Sequence, residues 1–271
     1  MSNLTQRVIT ALVAAPVAVG LTFLGGWFFA GFVLVVGLLA QWDLYGLAEA
    51  GGARPLKPLG LAAGGLLVIR ALVPFAVPLA VTLLLVGLAV ELYRRIDRPL
   101  DNVAMTVLGV FYPAVLAGYL VDLRVGSASA IGEPEAFALT ATVLLAIWSS
   151  DSFAYIVGRL IGKTPLFPRV SPKKTVEGAV GGVLGSVAMI ALLKVVWVPF
   201  LDWADVVALG VICGALGQLG DLAESLFKRS VEVKDSGNYL PGHGGMLDRI
   251  DAMLVAVPLV VFYLDHVRDL Y

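Results

Sequence analysis

What most limits the fold of this chain is a succession of uncharged apolar runs that recurs from one end to the other. Of its 271 residues 59% are hydrophobic and only 14% charged, against about a quarter charged in an ordinary soluble domain. The charges are also bunched, so the stretches between them reach the roughly 20 apolar residues that a bilayer core requires. Nine such spans are read: Val8–Leu24, Trp27–Leu47, Leu56–Pro74, Phe75–Leu92, Val103–Val121, Ala136–Val157, Ala179–Val198, Ala204–Leu222 and Met246–Leu264. Backbone polar groups in hydrocarbon must pair within their own segment or a closed barrel. The ten-residue alternation of a membrane barrel is absent. The expected fold class is therefore all-α, a polytopic integral membrane protein with nine transmembrane helices. The least fixed boundary is between the third and fourth spans, where Pro74 and Pro78 could break one longer helix. Arg7 ahead of an apolar run imitates a signal peptide, but further spans follow at once, so the run is expected to be a retained first helix.

Charge placement gives an independent test of the count. With nine spans, the N-terminus shares a side with the loops after spans two, four, six and eight, and that side holds 15 of the 19 lysines and arginines. The positive-inside rule then places the N-terminus and these loops in the cytoplasm. Net charge is −1, without a basic tail, so a nucleic-acid partner is not expected. Cys213 is the single cysteine, which excludes a disulfide framework and a cysteine metal site; it reads as a small buried hydrophobe. In the first half, Asp43 and Tyr45 read as membrane-interface residues, and Arg70 as a side chain that snorkels to the interface. The chain is divided into residues 1–125, five helices without evident chemistry, and residues 136–271, four helices with cytoplasmic loops at 159–178 and 223–249.

Chemistry gathers from Trp148 onward. Ser149-Ser150-Asp151-Ser152, with Ala154-Tyr155 and Gly158, closes the sixth span, and a carboxylate at such a depth is expensive and so a functional candidate. Ser171-Pro172-Lys173-Lys174-Thr175-Val176-Glu177-Gly178 stands where the seventh span begins, with Ser171 expected as the helix cap. Lys174, Thr175 and the helix N-terminus together form an anion site in prospect. The following Gly181, Gly182 and Gly185 suit phosphate access or close helix packing equally, and the spacing is not that of a Walker loop. The densest cluster is Asp221, Glu224, Ser225, Lys228, Arg229, Lys234 and Asp235, then Pro241-Gly242-His243-Gly244-Gly245, then Asp248-Arg249-Ile250-Asp251. Asp221, Glu224, Ser225 and Lys228 share one helical face, and Asp248 and Asp251 share another. Because the last span has too few apolar residues from Ile250 onward to cross a bilayer, its helix must begin among these motif residues. All-oxygen ligands without cysteine suit Mg²⁺ rather than Zn²⁺.

The segment Ser225-x-x-Lys228-Arg229, Lys234-Asp235, Pro241-x-His243-Gly244-Gly245-x-x-Asp248-Arg249-x-Asp251 resembles the signature of the phosphatidate cytidylyltransferases, also called CDP-diacylglycerol synthases. Asp151-x-x-Ala154-Tyr155-x-x-Gly158-Arg159 and Ser171-Pro172-x-Lys174-Thr175-x-Glu177-Gly178 are similar to further motifs of that family. The resemblance covers roughly Trp148 to Asp251; the first half matches only in being hydrophobic. It implies conversion of CTP and phosphatidate to CDP-diacylglycerol and pyrophosphate at the bacterial-type inner membrane, with the active site facing the cytoplasm. It implies Mg²⁺ at Asp221 and Asp248, assisted by Asp251 or Asp151, and, as a weaker carry-over, a monovalent cation such as K⁺. Lys228, Arg229, Asp248 and Arg249 are the expected catalytic residues. Ser171, Lys174, Thr175, Lys234 and His243 are the expected substrate-binding residues. A homodimer is expected only by analogy with other small membrane enzymes. The competing readings are a CTP-dependent transferase for another membrane lipid and a cation-coupled transporter; the latter predicts charges near the bilayer midplane and internal repeats.

Overall fold

The computed structural model describes residues 16–237 and 244–270. Helix α1 occupies 16–24 of the described chain, the earlier part of the first expected span lying outside the described residues. Gly25, at φ 62°, ends it in a backbone region open mainly to glycine, and α2 runs over Gly26–Ala50. Then come α3 (Lys57–Val68), α4 (Ala76–Tyr93) and α5 (Pro99–Gly109). The last continues through a π-helical turn, Val110–Val115, into α6 (Leu116–Val121), a second π turn, Asp122–Gly126, and α7 (Ser127–Ile131). Pro113 sits within the first π turn, where a missing N–H and a bulky ring are absorbed by the wider helix. Helix α8 spans Glu133–Ile161, strands β1 (Pro165–Phe167) and β2 (Ser171–Thr175) form a small antiparallel hairpin, and α9 spans Val176–Val196. Helix α10 (Trp203–Val211) passes through a π turn, Ile212–Leu216, into α11 (Gly217–Ser230), and α12 covers Leu247–His266.

Among the described residues six helices are long and apolar enough to cross a membrane: Gly26–Ala50, Ala76–Tyr93, Pro99–Ile131, Glu133–Ile161, Val176–Val196 and Trp203–Ser230. They answer to the second, fourth, fifth, sixth, seventh and eighth expected spans. The third is shorter than expected, since α3 has 12 residues and turns follow at 69–75; spans three and four are thus two helices. The ninth begins at Leu247, among the motif residues as the apolar count required. Among the described residues the hairpin is an addition to otherwise helical elements.

The chain divides into two compact units: Met1–Asp122 with Phe227–Ile250, and Leu123–Leu226 with Asp251–Tyr271. The segment Phe227–Ile250, assigned by sequence to the second half, thus belongs to the same unit as the N-terminal helices. In that first unit Tyr45 is fully buried, not interfacial. Gln41 Nε2 donates to Tyr45 Oη at 2.9 Å and to the Gly60 carbonyl at 2.8 Å, and Tyr45 Oη donates to the Thr106 carbonyl at 3.0 Å. A Cβ at Gly60 would come within 2.0 Å of that hydroxyl, and one at Gly109 within 2.1 Å of the ring, so α2, α3 and α5 close on Tyr45 only through glycine. Arg70 is engaged within the protein. It pairs with Asp122, donates to the Leu67 and Val115 carbonyls at 3.0 and 2.9 Å, and lies over the Tyr119 ring, capping the last turn of α3 as a cation at a helix C-terminus should.

In the second unit α8 and α9 run against each other along a glycine seam. A Cβ at Gly178 would lie 2.7 Å from the Ala154 carbonyl, one at Gly181 2.7 Å from Val157, and one at Gly185 2.6 Å from Phe153. The glycines of α9 therefore serve helix packing, which the sequence had left open against phosphate access. Ser149 Oγ donates to the Gly185 carbonyl at 3.1 Å and Gln218 Nε2 to the Ala179 carbonyl at 3.1 Å, so the seam is hydrogen-bonded as well as close. Cys213 is buried, as expected.

Candidate active site

The second unit holds one acidic centre. Thr175, in extended backbone at φ −120°, caps α9 by accepting the Gly178 N–H on its Oγ1 at 3.1 Å. Ser171, expected in that role, lies instead in β2. The hairpin is tied to the helix by Glu177, whose carboxylate accepts from Lys163 N at 3.1 Å and Thr164 Oγ1 at 2.9 Å, and by Val176 N donating to the Thr164 carbonyl at 2.8 Å. So fastened, β2 leaves Lys173 exposed and sets Lys174 half-buried beside α11, with its Nζ 2.5 Å from Asp221 Oδ2. Asp221 also accepts from Ser225 Oγ at 3.3 Å. It lies within α11, which continues to Ser230, rather than at the end of a helix.

Helices α11 and α12 meet beside it. A Cβ at Gly220 would stand 2.2 Å from the Asp251 carbonyl oxygen, so only glycine permits this crossing. Asp251 accepts from Ala252 N at 2.7 Å, and its carboxylate feels the charges of Asp221, Asp151 and Lys174. Residues from α8, β2, α11 and α12 thus bring three carboxylates within electrostatic reach of one ammonium. Among the described residues no three Asp, Glu, His or Cys side chains converge closely enough to hold a metal ion as they stand.

The first unit holds the other centre, around Asp248. Its Oδ1 accepts from Lys228 Nζ at 2.5 Å, and its Oδ2 accepts from Ser236 N at 3.0 Å, Ser236 Oγ at 2.8 Å and Gly245 N at 2.9 Å. Both charged side chains are nearly closed off, 11% exposed for Lys228 and 8% for Asp248. Gly244, at φ 74°, turns the chain back toward that carboxylate. Arg229, Lys234 and Arg249 are exposed, Arg229 donating to the Val233 carbonyl at 3.3 Å. His243, with Pro241, lies outside the described residues.

Sequence reasoning missed one member of this second centre. Asp43, on α2, is 2% exposed, and its Oδ2 accepts from Leu247 N at 3.0 Å, so it is no membrane-interface residue. Its signal in the sequence was a lone carboxylate in a long apolar run, a placement that is costly unless used.

Comparison with known proteins bears on the same residues. The model of the cytidylyltransferase family matches residues 5–267, nearly the whole chain, both acidic centres included. The chain belongs to the cytidylyltransferase family. It is 33% identical over 285 residues to a phosphatidate cytidylyltransferase of Synechocystis sp., covering 96% of each chain. It is 30% identical over 281 residues to one of Bacillus subtilis, covering 97% of this chain and 98% of the other. A third, from Brucella abortus, is 34% identical over 266 residues, covering 97% and 94%. These cytidylyltransferase relatives align through the N-terminal helices too, where the motif resemblance had been silent.

Proposed function

We propose that this protein is a phosphatidate cytidylyltransferase, an enzyme of phospholipid biosynthesis that joins the cytidylyl group of CTP to phosphatidate and releases pyrophosphate. The observation that carries this reading is the family match over residues 5–267 together with the meeting of Lys174, Asp221, Asp251 and Asp151. Phosphatidate is a phosphate monoester, and by analogy with phosphoserine its second pKa is about 6. Near neutral pH it is largely dianionic and needs no general base. A lipid phosphate oxygen forms a bond to the α-phosphorus of CTP as the bond to the β-phosphate oxygen breaks, and pyrophosphate leaves with that electron pair. What opposes the step is the approach of one polyanion to another, so catalysis consists of charge neutralisation and in-line alignment.

The residues divide accordingly. Lys174 and Thr175, at the N-terminus of α9, hold the CTP phosphates, with Ser171, Lys234 and His243 as further substrate contacts. Lys228, Arg229 and Arg249 neutralise phosphatidate or the departing pyrophosphate. The donor set of Asp221, Asp251, Asp151 and Asp248 is all oxygen, which fits a hard divalent cation. Asp221 and Asp248 are assigned to Mg²⁺, with Asp251 or Asp151 assisting, and a monovalent cation such as K⁺ as an accessory. When bound, Mg²⁺ supplies neutralisation of the phosphates and of the leaving oxygen.

The chain is read as an integral membrane protein of nine spans with the N-terminus and both charged loops in the cytoplasm of a bacterial inner membrane, supported by the sidedness of its basic residues. CTP then arrives from the cytoplasm and the lipid headgroup from the interface. A homodimer is part of this reading by analogy alone. The test is the purified full chain in detergent with labelled CTP and either phosphatidate or an isoprenoid alcohol. Label in a CDP-diacylglycerol product is the expected result, and label only in the other lipid would overturn the assignment.

A further inference from the structure

We infer that Asp43, on α2, is a positioning residue for the transfer reaction, holding the start of α12 in place; as a claim about catalysis this rests on the function proposed above. Helix α12 begins at Leu247, and the N–H groups of a first turn have no partner inside the helix. The side chain that ordinarily takes one of them belongs to the residue just before the helix, and Ser, Thr, Asp or Asn serves best. Here that residue is Met246, preceded by Gly245 and Gly244, and none of the three carries a side-chain oxygen. The acceptor comes instead from Asp43, 204 residues away, whose Oδ2 takes the Leu247 N–H at 3.0 Å. A carboxylate at a helix N-terminus also matches the positive end of the helix dipole.

On either side of the signature turn, Gly237 and Gly245 lie against this carboxylate. A Cβ at Gly237 would lie 2.2 Å from Asp43 Oδ1, and one at Gly245 2.5 Å from Oδ2. Neither position has room for any other residue without displacing Asp43 or the loop. Asp43 is 2% exposed, and among the described residues its Oδ1 has no hydrogen-bond partner. Burying a carboxylate is costly, and in this place the return is the fixed origin of the helix that carries Asp248 and Asp251. Asp43 and Asp248 stand within electrostatic reach of each other, yet Asp248 is held by Lys228, Ser236 and Gly245 while Asp43 holds the adjoining backbone. One carboxylate fixes the loop, the other the helix.

The experiment compares full-length wild type, Asp43→Ala and Asp43→Asn in detergent, reading amide exchange across residues 244–252 together with kcat and the KM for CTP. Asp43→Ala should speed exchange about tenfold and lower kcat about tenfold, with the KM for CTP within about threefold. Asp43→Asn keeps an acceptor oxygen and should restore both protection and kcat to within about threefold of wild type. Should Asp43→Ala fail to fold, Gly237→Ala, whose Cβ would stand 2.2 Å from Asp43 Oδ1, keeps the carboxylate but crowds it from its place, and should give the same faster exchange and lower kcat. Wild-type exchange and kcat in Asp43→Ala, or in Gly237→Ala, would overturn the inference. So would loss of activity in both Asp43 variants with unchanged exchange, since the carboxylate would then act on the reacting groups themselves. A wild-type chain without cytidylyl transfer would count against the proposed function, while the exchange comparison would still decide the placement of α12.

Discussion

The two acidic centres use the same residue types and differ in how far each is already satisfied. Among the described residues Asp248 receives hydrogen bonds from the buried ammonium of Lys228, from Ser236 N and Oγ, and from Gly245 N. Around Asp221 one lysine faces three carboxylates, and the Lys174 and Asp221 side chains remain 26% and 35% exposed. Asp248, engaged in this way, meets the Mg²⁺ assigned to it above only by exchanging some of its partners. A partly exposed cluster retains the capacity to meet a charged ligand as it stands. The two centres therefore differ in readiness for a ligand, although the family signature runs through both without a break.

The contrast can be broken most directly at Asp221. Asp221→Asn should cut cytidylyl transfer by roughly a thousandfold while shifting the thermal midpoint in detergent only slightly; near-normal turnover would remove the distinction. Next in size is the effect on stability of Lys228→Met, which strands Asp248 in a closed environment. A loss of roughly 3–5 kcal/mol is expected for one partner of a buried pair, whereas Lys174→Met, at a partly exposed pair, should cost under about 1 kcal/mol. Denaturant titration of the two variants side by side would show equal losses if the centres are alike. The smallest effect is expected in the kinetics of Lys174→Ala. The KM for CTP should rise about tenfold and that for phosphatidate much less; the opposite ranking would exchange the two anion sites.

How much of this was legible follows from what each feature depends on. Long apolar runs report helices because the bilayer leaves the backbone no other choice, and six of the spans are found as read. The start of α12 was legible from a shortage of apolar residues alone. The hairpin was not, because Pro165–Thr175 has no apolar alternation and is held by Glu177 from outside it. Ser171 misled for a related reason: Ser-Pro is a good helix start, but proline is also tolerated in an edge strand, and the true cap is Thr175, four residues on. In the site, Asp151, Lys174, Asp221 and Asp251 stood out by type and spacing. Asp43 did not, because its meaning lies in a partner 204 residues distant that no local pattern encodes.

The short third helix has a consequence for how the protein is made. Twelve residues rise only about 18 Å, well under the roughly 30 Å of a hydrocarbon layer, and the segment ends on Arg70. Its counter-charge, Asp122, leaves the ribosome 52 residues later. Until then the nascent chain carries a guanidinium whose ion-pair partner has yet to be translated, on a segment too short to traverse the layer alone. On the nine-span reading, α3 is therefore a span completed by its neighbours, held once the long helix has delivered Asp122.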